Sequence, residues 1–155
     1  YKPLLFKSVI LGVSGKIGYV TGLGDKVTQS QRFNLGGRDV RGFGSGGIGP
    51  RDTGSSDAVG GNKMYAGTFE VVSNLGLDKD TGVRWTVFTD FGSLWGTDYP
   101  SGVTKPNAAN MRLSAGVGIF WSTAIGPLSF SWAKPLSKMA HDTPKTFQFN
   151  IGTRL

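Results

Sequence analysis

The sequence predicts an all-β fold, a transmembrane up-and-down antiparallel β-barrel, and three observations lead to this prediction. Apolar residues alternate with polar or small ones in segment after segment, which is typical of strands because successive side chains point to opposite faces. Several segments reach about 9–11 residues, enough for a tilted strand to cross a bilayer and longer than the usual about 5–6 of globular strands. Short and long connectors alternate along the chain, as the two rims of such a barrel require.

Seven segments carry the alternation, and residues 2–6 are a candidate for an eighth strand. In chain order, the apolar faces consist of Val9, Leu11, Val13, Ile17 and Tyr19; Phe33 and Leu35; Tyr65, Phe69 and Val71; Val83, Trp85, Val87 and Phe91; Leu113, Ala115, Val117, Ile119 and Trp121; Leu128, Phe130 and Trp132; and Phe147, Phe149 and Ile151.

The opposite parity is polar, small and rich in glycine, as expected for a crowded barrel lumen. Glu70, Asp90 and Arg112 lie on this polar face, whereas Phe88 interrupts the pattern of its segment. In a soluble sandwich the apolar parity would form the core and the polar parity would face water, so alternation alone leaves that alternative open. The lengths of the segments and the order of the connectors favour the membrane barrel.

The connectors alternate strictly in length. Connectors 22–26, 76–82 and 123–127 are short, whereas connectors 38–62, 92–110 and 134–145 are long. An up-and-down outer-membrane barrel has tight turns on one rim and longer external loops on the other. A sandwich has no reason to follow this order.

Composition supports a folded chain and excludes several classes. The 155 residues suffice for one domain, and aromatic residues make up 12% of them. No apolar run approaches the about 20 residues of a transmembrane helix. The net charge of +7 is scattered, without a basic run interleaved with aromatics, so no nucleic-acid partner is predicted. The chain has no cysteine, which excludes disulfides and thiolate metal sites.

The longest connector contains a glycine-rich stretch, residues 36–52, with two motifs. Residues 42–47 formally match the G-x-G-x-x-G dinucleotide pattern, but no helical pattern follows and Pro50 interrupts the stretch, so no cofactor is predicted. Val40, Arg41, Gly42 and Phe43 resemble the VRGF/Y motif of the BamA-type family of outer-membrane assembly and polypeptide-transport proteins. Further segments resemble that family's last barrel strands in order, namely 48–51, 58–62, 90–95, 113–118, 125–131, 133–136 and 147–152.

The resemblance implies a place for this chain in a larger protein. Members of the family carry periplasmic POTRA domains before a barrel of about 16 strands, and they fold and insert other barrels into the bacterial outer membrane. Residues 1–155 would then be the C-terminal part of the barrel, with about 7–8 strands, and the POTRA domains and first strands would be absent. The implied partners are membrane lipid, unfolded outer-membrane protein clients and accessory assembly lipoproteins, the last mainly through the missing periplasmic domains. The isolated chain is expected to self-associate through exposed edge strands.

The resemblance also implies roles for the motif and for the last strand. In the family the motif loop folds back into the lumen, so we predict that Arg41 docks against Glu70 and Asp90, since its guanidinium can donate two parallel bonds to a carboxylate. The alternative is that all three are solvated separately in a wet lumen. The last predicted strand, residues 146–155, would pair weakly and open laterally, so that a client strand adds to its edge and the bilayer thins nearby. Its predicted gate residues are Phe147, Phe149, Ile151 and Leu155, the last where the family usually has an aromatic residue.

Three other functions remain as alternatives. A related polypeptide transporter or secretion partner shares the motif and would serve one dedicated passenger. A small outer-membrane enzyme is disfavoured, because His141 beside Asp142 is the only nearby pairing of the kind a triad needs, and it lies in a loop. A passive porin is disfavoured because the glycine-rich loop is suited to occupy the lumen. No catalytic, cofactor-binding or metal-binding residue is predicted.

Overall fold

The computed structural model describes residues 9–74, 81–98, 103–104 and 110–152, and strands dominate these ranges. The strands in chain order are β1 (Val9–Tyr19), β2 (Gly42–Phe43), β3 (Arg51–Asp52), β4 (Lys63–Ser73), β5 (Val83–Trp95), β6 (Val103–Thr104), β7 (Arg112–Thr123), β8 (Gly126–Ser137), β9 (Pro144–Lys145) and β10 (Phe147–Ile151). A short 3-10 helix, Gln29–Gln31, lies between β1 and β2. No helix in the described ranges is long and apolar enough to span a membrane.

Six of the strands form one antiparallel sheet in the order β1-β4-β5-β7-β8-β10. Each strand pairs with the next long strand of the chain, so the sheet is an up-and-down meander. Strands β1, β4, β5, β7 and β8 have 11–13 residues, the length expected for crossing a bilayer. These features confirm the predicted fold class. The sheet ends at β1 on one side and at β10 on the other.

The connectors confirm the predicted alternation of rims except at 22–26, which was predicted as a short turn between two strands and lies within the long segment 20–62 instead. Tyr19, Lys63 and Trp95 lie side by side in register, so β1, β4 and β5 meet one rim at these residues. The strand ends that flank the long segments 20–62, 96–111 and 138–146 lie at this rim, and those that flank the short segments 74–82 and 124–125 lie at the other. We call these the loop rim and the turn rim.

One predicted strand is wrong, and one lies outside the described residues. Phe33 and Leu35 form only isolated bridges, to Gly61 and Ile48, within segment 20–62. Their alternation covers two apolar residues only, and Leu35 is buried in the core of the loop instead of facing lipid. The described part of the main sheet therefore has six strands where seven were predicted. The candidate strand at residues 2–6 lies outside the described residues.

The two faces of the sheet have the polarity of a membrane barrel. Leu11, Val13 and Ile17 of β1 are 77%, 73% and 88% exposed, so the apolar parity faces outward. Asp90 and Ser114, on the polar parity, are completely buried on the opposite face. We call this second face the inner face. A water-soluble protein of this fold would have the reverse arrangement.

Segment 20–62, which we call the motif loop, folds back over the inner face and carries its own apolar core. This cluster joins residues of the loop to residues near the loop-rim ends of β4 and β5. Its members are Leu35, Val40, Phe43, Ile48, Met64, Ala66 and Leu94. Burial of this cluster holds the motif loop against the part of the sheet next to the loop rim.

Candidate functional site

The backbone of the motif loop reaches the inner face at Gly42. Gly42 has a φ of +91°, and a Cβ atom there would lie 3.2 Å from Ser114 Cβ and 3.3 Å from Ala133 Cβ. Only glycine combines this conformation with so close an approach to the sheet. Gly42 and Phe43 form β2, which pairs antiparallel with β9 of the loop-rim segment 138–146. The loop is therefore held by a neighbouring loop as well as by the sheet.

Arg41 lies at the centre of the site and contacts Asp90 of β5 through three hydrogen bonds. Arg41 Nε donates to Asp90 Oδ2 at 2.7 Å and Nη2 donates to Oδ1 at 2.8 Å, while the backbone N–H of Arg41 donates to Oδ2 at 2.9 Å. Arg41 is 5% exposed and Asp90 is fully buried. The carbonyl of Arg41 accepts a hydrogen bond from Ser114 Oγ of β7. A buried carboxylate is thus compensated by one residue through charge and backbone together.

Two further side chains complete the surroundings of the guanidinium. Glu70 Oε2 of β4 lies 3.6 Å from Arg41 Nη1, within ion-pair distance. The ring of Phe88 lies under the guanidinium, with its centroid 3.3 Å from Arg41 Cζ. This contact explains why an aromatic residue interrupts the polar parity of β5, because a cation stacks favourably on a desolvated ring. The structure brings Arg41, Glu70 and Asp90 together.

Val40 and Phe43, the apolar residues of the motif, lie in the core of the loop. Both are fully buried, so they anchor the motif on either side of Arg41 and Gly42. The carbonyl of Phe43 accepts a hydrogen bond of 2.6 Å from Gln148 Nε2 of β10. The motif therefore contacts β4, β5, β7 and β10 at once.

A second buried ion pair lies nearby, and the sequence analysis did not find it. Arg112 of β7 donates from Nε to Asp142 Oδ2 at 3.0 Å and from Nη2 to Oδ1 at 3.3 Å. The backbone N–H of Met139 also donates to Asp142 Oδ2, at 2.7 Å. The parity of Arg112 marked it as an inner-face residue, but nothing in loop 138–146 marked Asp142 as its partner. His141, which precedes Asp142, contacts Arg51 through its backbone. The His141 carbonyl accepts a 2.6 Å hydrogen bond from Arg51 Nε.

The predicted gate residues lie on β10, at the edge of the sheet. Phe147, Phe149 and Ile151 face outward and are 44%, 47% and 60% exposed. The rings of Phe147 and Phe149 pack on β8, with centroids 5.2 Å from that of Trp132 and 5.0 Å from that of Phe130, respectively. Leu155 lies outside the described residues. Within the described part of the chain, no group of three or more histidines and carboxylates is placed to hold a metal ion.

Comparisons with known proteins agree with this architecture. The model of the Omp85 superfamily domain matches residues 1–155. Outer membrane protein assembly factor BamA of Neorickettsia risticii is 34% identical over 94% of the chain, and that of Neisseria meningitidis serogroup B is 31% identical over 96%. The chain spans 19% and 22% of these two relatives, about a fifth of their length.

A solved structure gives the same result in three dimensions. The crystal structure of BamA from Haemophilus ducreyi lacking POTRA domains 1–3 superposes with a TM-score of 0.78 and 32% identity, over 92% of this chain and 31% of that one. The resemblance inferred from the sequence is confirmed, and with it a BamA-type outer-membrane β-barrel. Because the family model covers all 155 residues, the chain belongs to the Omp85 superfamily.

Proposed function

We propose that this chain forms the C-terminal part of the barrel of an outer-membrane protein assembly factor, which folds and inserts other β-barrels. The observation that carries the proposal is the docked motif, in which Arg41 meets the buried carboxylate of Asp90 through three hydrogen bonds. A loop fixed over the inner face disfavours a passive porin with an open channel. The relatives named above, each an assembly factor, support the same function.

The proposed mechanism uses the free edge of β10. Gly152 N–H donates to Pro127 O, and Ala133 N–H donates to Thr146 O, so even-numbered residues of the last strand bond to β8. The backbone groups of Phe147, Phe149 and Ile151 then point away from β8. Lipid cannot satisfy backbone groups at a strand edge, so a client strand that adds to this edge supplies hydrogen-bond partners that lipid cannot. Lateral opening at this edge, helped by local thinning of the bilayer, is the step that we assign to it.

The proposed partners follow from this mechanism. They are unfolded outer-membrane protein clients at the β10 edge, membrane lipid on the outer face, and accessory assembly lipoproteins bound mainly to periplasmic domains outside this chain. The isolated chain has edges at β1 and β10 and is expected to self-associate through them.

The docked motif is tested in the full-length protein by Arg41→Glu. We expect the variant to lose most of its rate of barrel assembly in proteoliposomes and to expose the motif loop to protease, because Glu would face Asp90 and Glu70. Arg41→Lys should keep part of the activity, since an ammonium cannot form the two-pronged contact. Arg84→Glu, at an exposed position of β5 near the turn rim, is the matched control. Unchanged loop protection and assembly in Arg41→Glu would overturn the proposal.

The free edge is tested by Phe149→Pro against Phe149→Ala. Both variants lose the aromatic ring, but only proline removes the backbone N–H that points to the open edge, and neither removes a bond to β8. We expect Phe149→Ala to retain assembly and Phe149→Pro to lose it. Equal activity of the two variants would contradict templating at this edge, and activity toward one dedicated passenger alone would favour the related polypeptide transporter.

A further inference from the structure

The open edge of β10 already has an occupant inside the chain, the side chain of Arg38. Arg38 Nη2 donates to the carbonyl of Ile151 at 3.4 Å, and Nε donates to Asn150 Oδ1 at 3.1 Å. By the register given above, the Ile151 carbonyl belongs to the set that points away from β8. Arg38 therefore contacts a backbone acceptor that an added strand would need.

The residue next to Arg38 contacts the opposite edge of the sheet. Asp39 accepts from Lys16 Nζ of β1 at 3.1 Å through each of its two carboxylate oxygens. In the sheet order, β1 and β10 are the two terminal strands, separated by four others. Two consecutive residues of the motif loop thus connect the two edges across the inner face.

The backbone that carries these two residues is held in place. Gly37 N–H donates to Phe43 O at 2.9 Å, and Phe43 O also accepts from Gln148 of β10. Val40, which follows Asp39 directly, is fully buried in the core of the loop. Arg38 and Asp39 therefore project from an anchored base, and only their side chains must move to release the edges.

We propose that Arg38 is a latch on the last strand: its guanidinium caps the Ile151 carbonyl and the Asn150 side chain until an incoming strand displaces it. Asp39 and Lys16 set its position by tying the same stretch of loop to β1. The displacing group is a backbone N–H of an extended client segment, the donor that Arg38 replaces at this carbonyl. The contacts are partly exposed, so the latch is weak enough to yield to a strand that forms several hydrogen bonds. The role in assembly rests on the proposed function, whereas the latch contact itself does not.

Hydrogen–deuterium exchange on the full-length protein in lipid nanodiscs tests the latch directly. We expect Arg38→Ala to raise exchange in residues 147–152 by up to about fivefold, the effect of losing one exposed contact. Asp39→Asn and Lys16→Gln should raise it less, and Lys16→Arg should retain the wild-type rate. Lys134→Ala removes one positive charge from the neighbouring strand β8 and is the control. Equal exchange in Arg38→Ala and wild type, or an equal rise in Lys134→Ala, would overturn the latch.

A second measurement separates the latch from its role in assembly. A photoreactive amino acid in place of Phe149 reports adducts with an unfolded outer-membrane barrel client added to the same nanodiscs. More adduct in Arg38→Ala than in the Arg38 background supports the whole proposal. Faster exchange with no gain in adduct would support the latch and overturn its displacement by a client.

Discussion

Two buried arginine–aspartate pairs connect the inner face to the loops above it, and they differ in which partner the sheet supplies. Asp90 belongs to β5 and meets an arginine of the motif loop, whereas Arg112 belongs to β7 and meets an aspartate of loop 138–146. The shortest contacts are similar, 2.7 Å and 3.0 Å. In both places a charge on the polar face of a strand is buried because a loop brings the opposite charge. The comparison shows that these loops are folded onto the sheet by paired charges.

The surroundings of the two ion pairs predict that loss of one arginine destabilises the protein more than loss of the other. Arg41 also has the ring of Phe88 beneath it and Glu70 within ion-pair distance. Each carboxylate would keep one backbone donor if its arginine side chain were lost: Asp142 the N–H of Met139, and Asp90 the N–H of residue 41. Loss of the Arg41 guanidinium also removes its ion pair with Glu70 and its contact with the Phe88 ring. The larger effect is therefore expected at Arg41.

The largest expected effect is that of Arg41→Met. We expect it to lower the free energy of unfolding of the full-length barrel by about 3–5 kcal/mol, because the buried carboxylate of Asp90 loses its counter-charge and keeps only the backbone N–H of residue 41. The measurement is equilibrium unfolding in urea with the protein in lipid vesicles. The double variant Arg41→Met with Asp90→Leu removes both charges and should cost less than Arg41→Met alone. A double variant that costs the sum of both single variants would mean that the pair does not couple.

The second pair gives a smaller expected effect at Arg112→Met. We expect about 2–3 kcal/mol, since the carboxylate of Asp142 loses charge-assisted bonds but keeps the Met139 N–H. Loop 138–146 contains Lys138 and Lys145, so tryptic cleavage there reports its release. Adding Met139→Pro to Arg112→Met removes that remaining donor. The loss of unfolding free energy should then come closer to that of Arg41→Met. Cleavage no faster than wild type in Arg112→Met would show that this ion pair does not hold the loop on the sheet.

A smaller effect is expected at Phe88→Leu, which tests what distinguishes the first pair. Leucine keeps the apolar volume but loses the ring under Arg41, at an expected cost of about 1–2 kcal/mol. Phe91→Leu is the control, because Phe91 lies on the same strand and stacks on Phe69 of the outer face. In Arg41→Met the ring has no cation above it, so Phe88→Leu should cost less there. The same cost in both backgrounds would contradict the stacking contribution.

The difference between the two pairs also shows how far the sequence predicts this site. Period-two alternation identified the inner-face side of each pair, Asp90 and Arg112, because the pleat of a strand imposes it. The family motif identified Arg41 as the loop partner of Asp90. Asp142 has no comparable signal, since its position depends on how loop 138–146 folds onto the sheet and on contacts distant in the chain.

One error of the sequence analysis and one exception that it noted both concern the period-two alternation. Phe33 and Leu35 alternate with polar residues as in a strand, but their side chains pack in or against the core of the motif loop. Two apolar residues are too few for period two to distinguish a strand from a packed loop. Phe88 interrupted a longer alternation, and there the exception was informative, because it marked the residue that contacts Arg41. A break in a long pattern therefore carried more information than the presence of a short one.

The smallest expected effect concerns Asp98, in the loop just beyond the end of β5. The side-chain amide of Asn62 and the backbone N–H of Val27 both donate to its carboxylate and hold the pKa of Asp98 below its ordinary value of 3.8. Because this pKa is lower in the folded state, the ionised carboxylate stabilises the loop at pH values above the unfolded-state pKa. This contribution is lost as pH falls through the folded-state pKa.

Cleavage of loop 20–62 by an acid-active protease should therefore accelerate in wild type below about pH 4. Asp98→Asn should show faster cleavage already above that pH and a flatter dependence, whereas Asp57→Asn should behave as wild type. An unchanged pH dependence in Asp98→Asn would show that the Asp98 carboxylate does not carry the acid sensitivity of this loop.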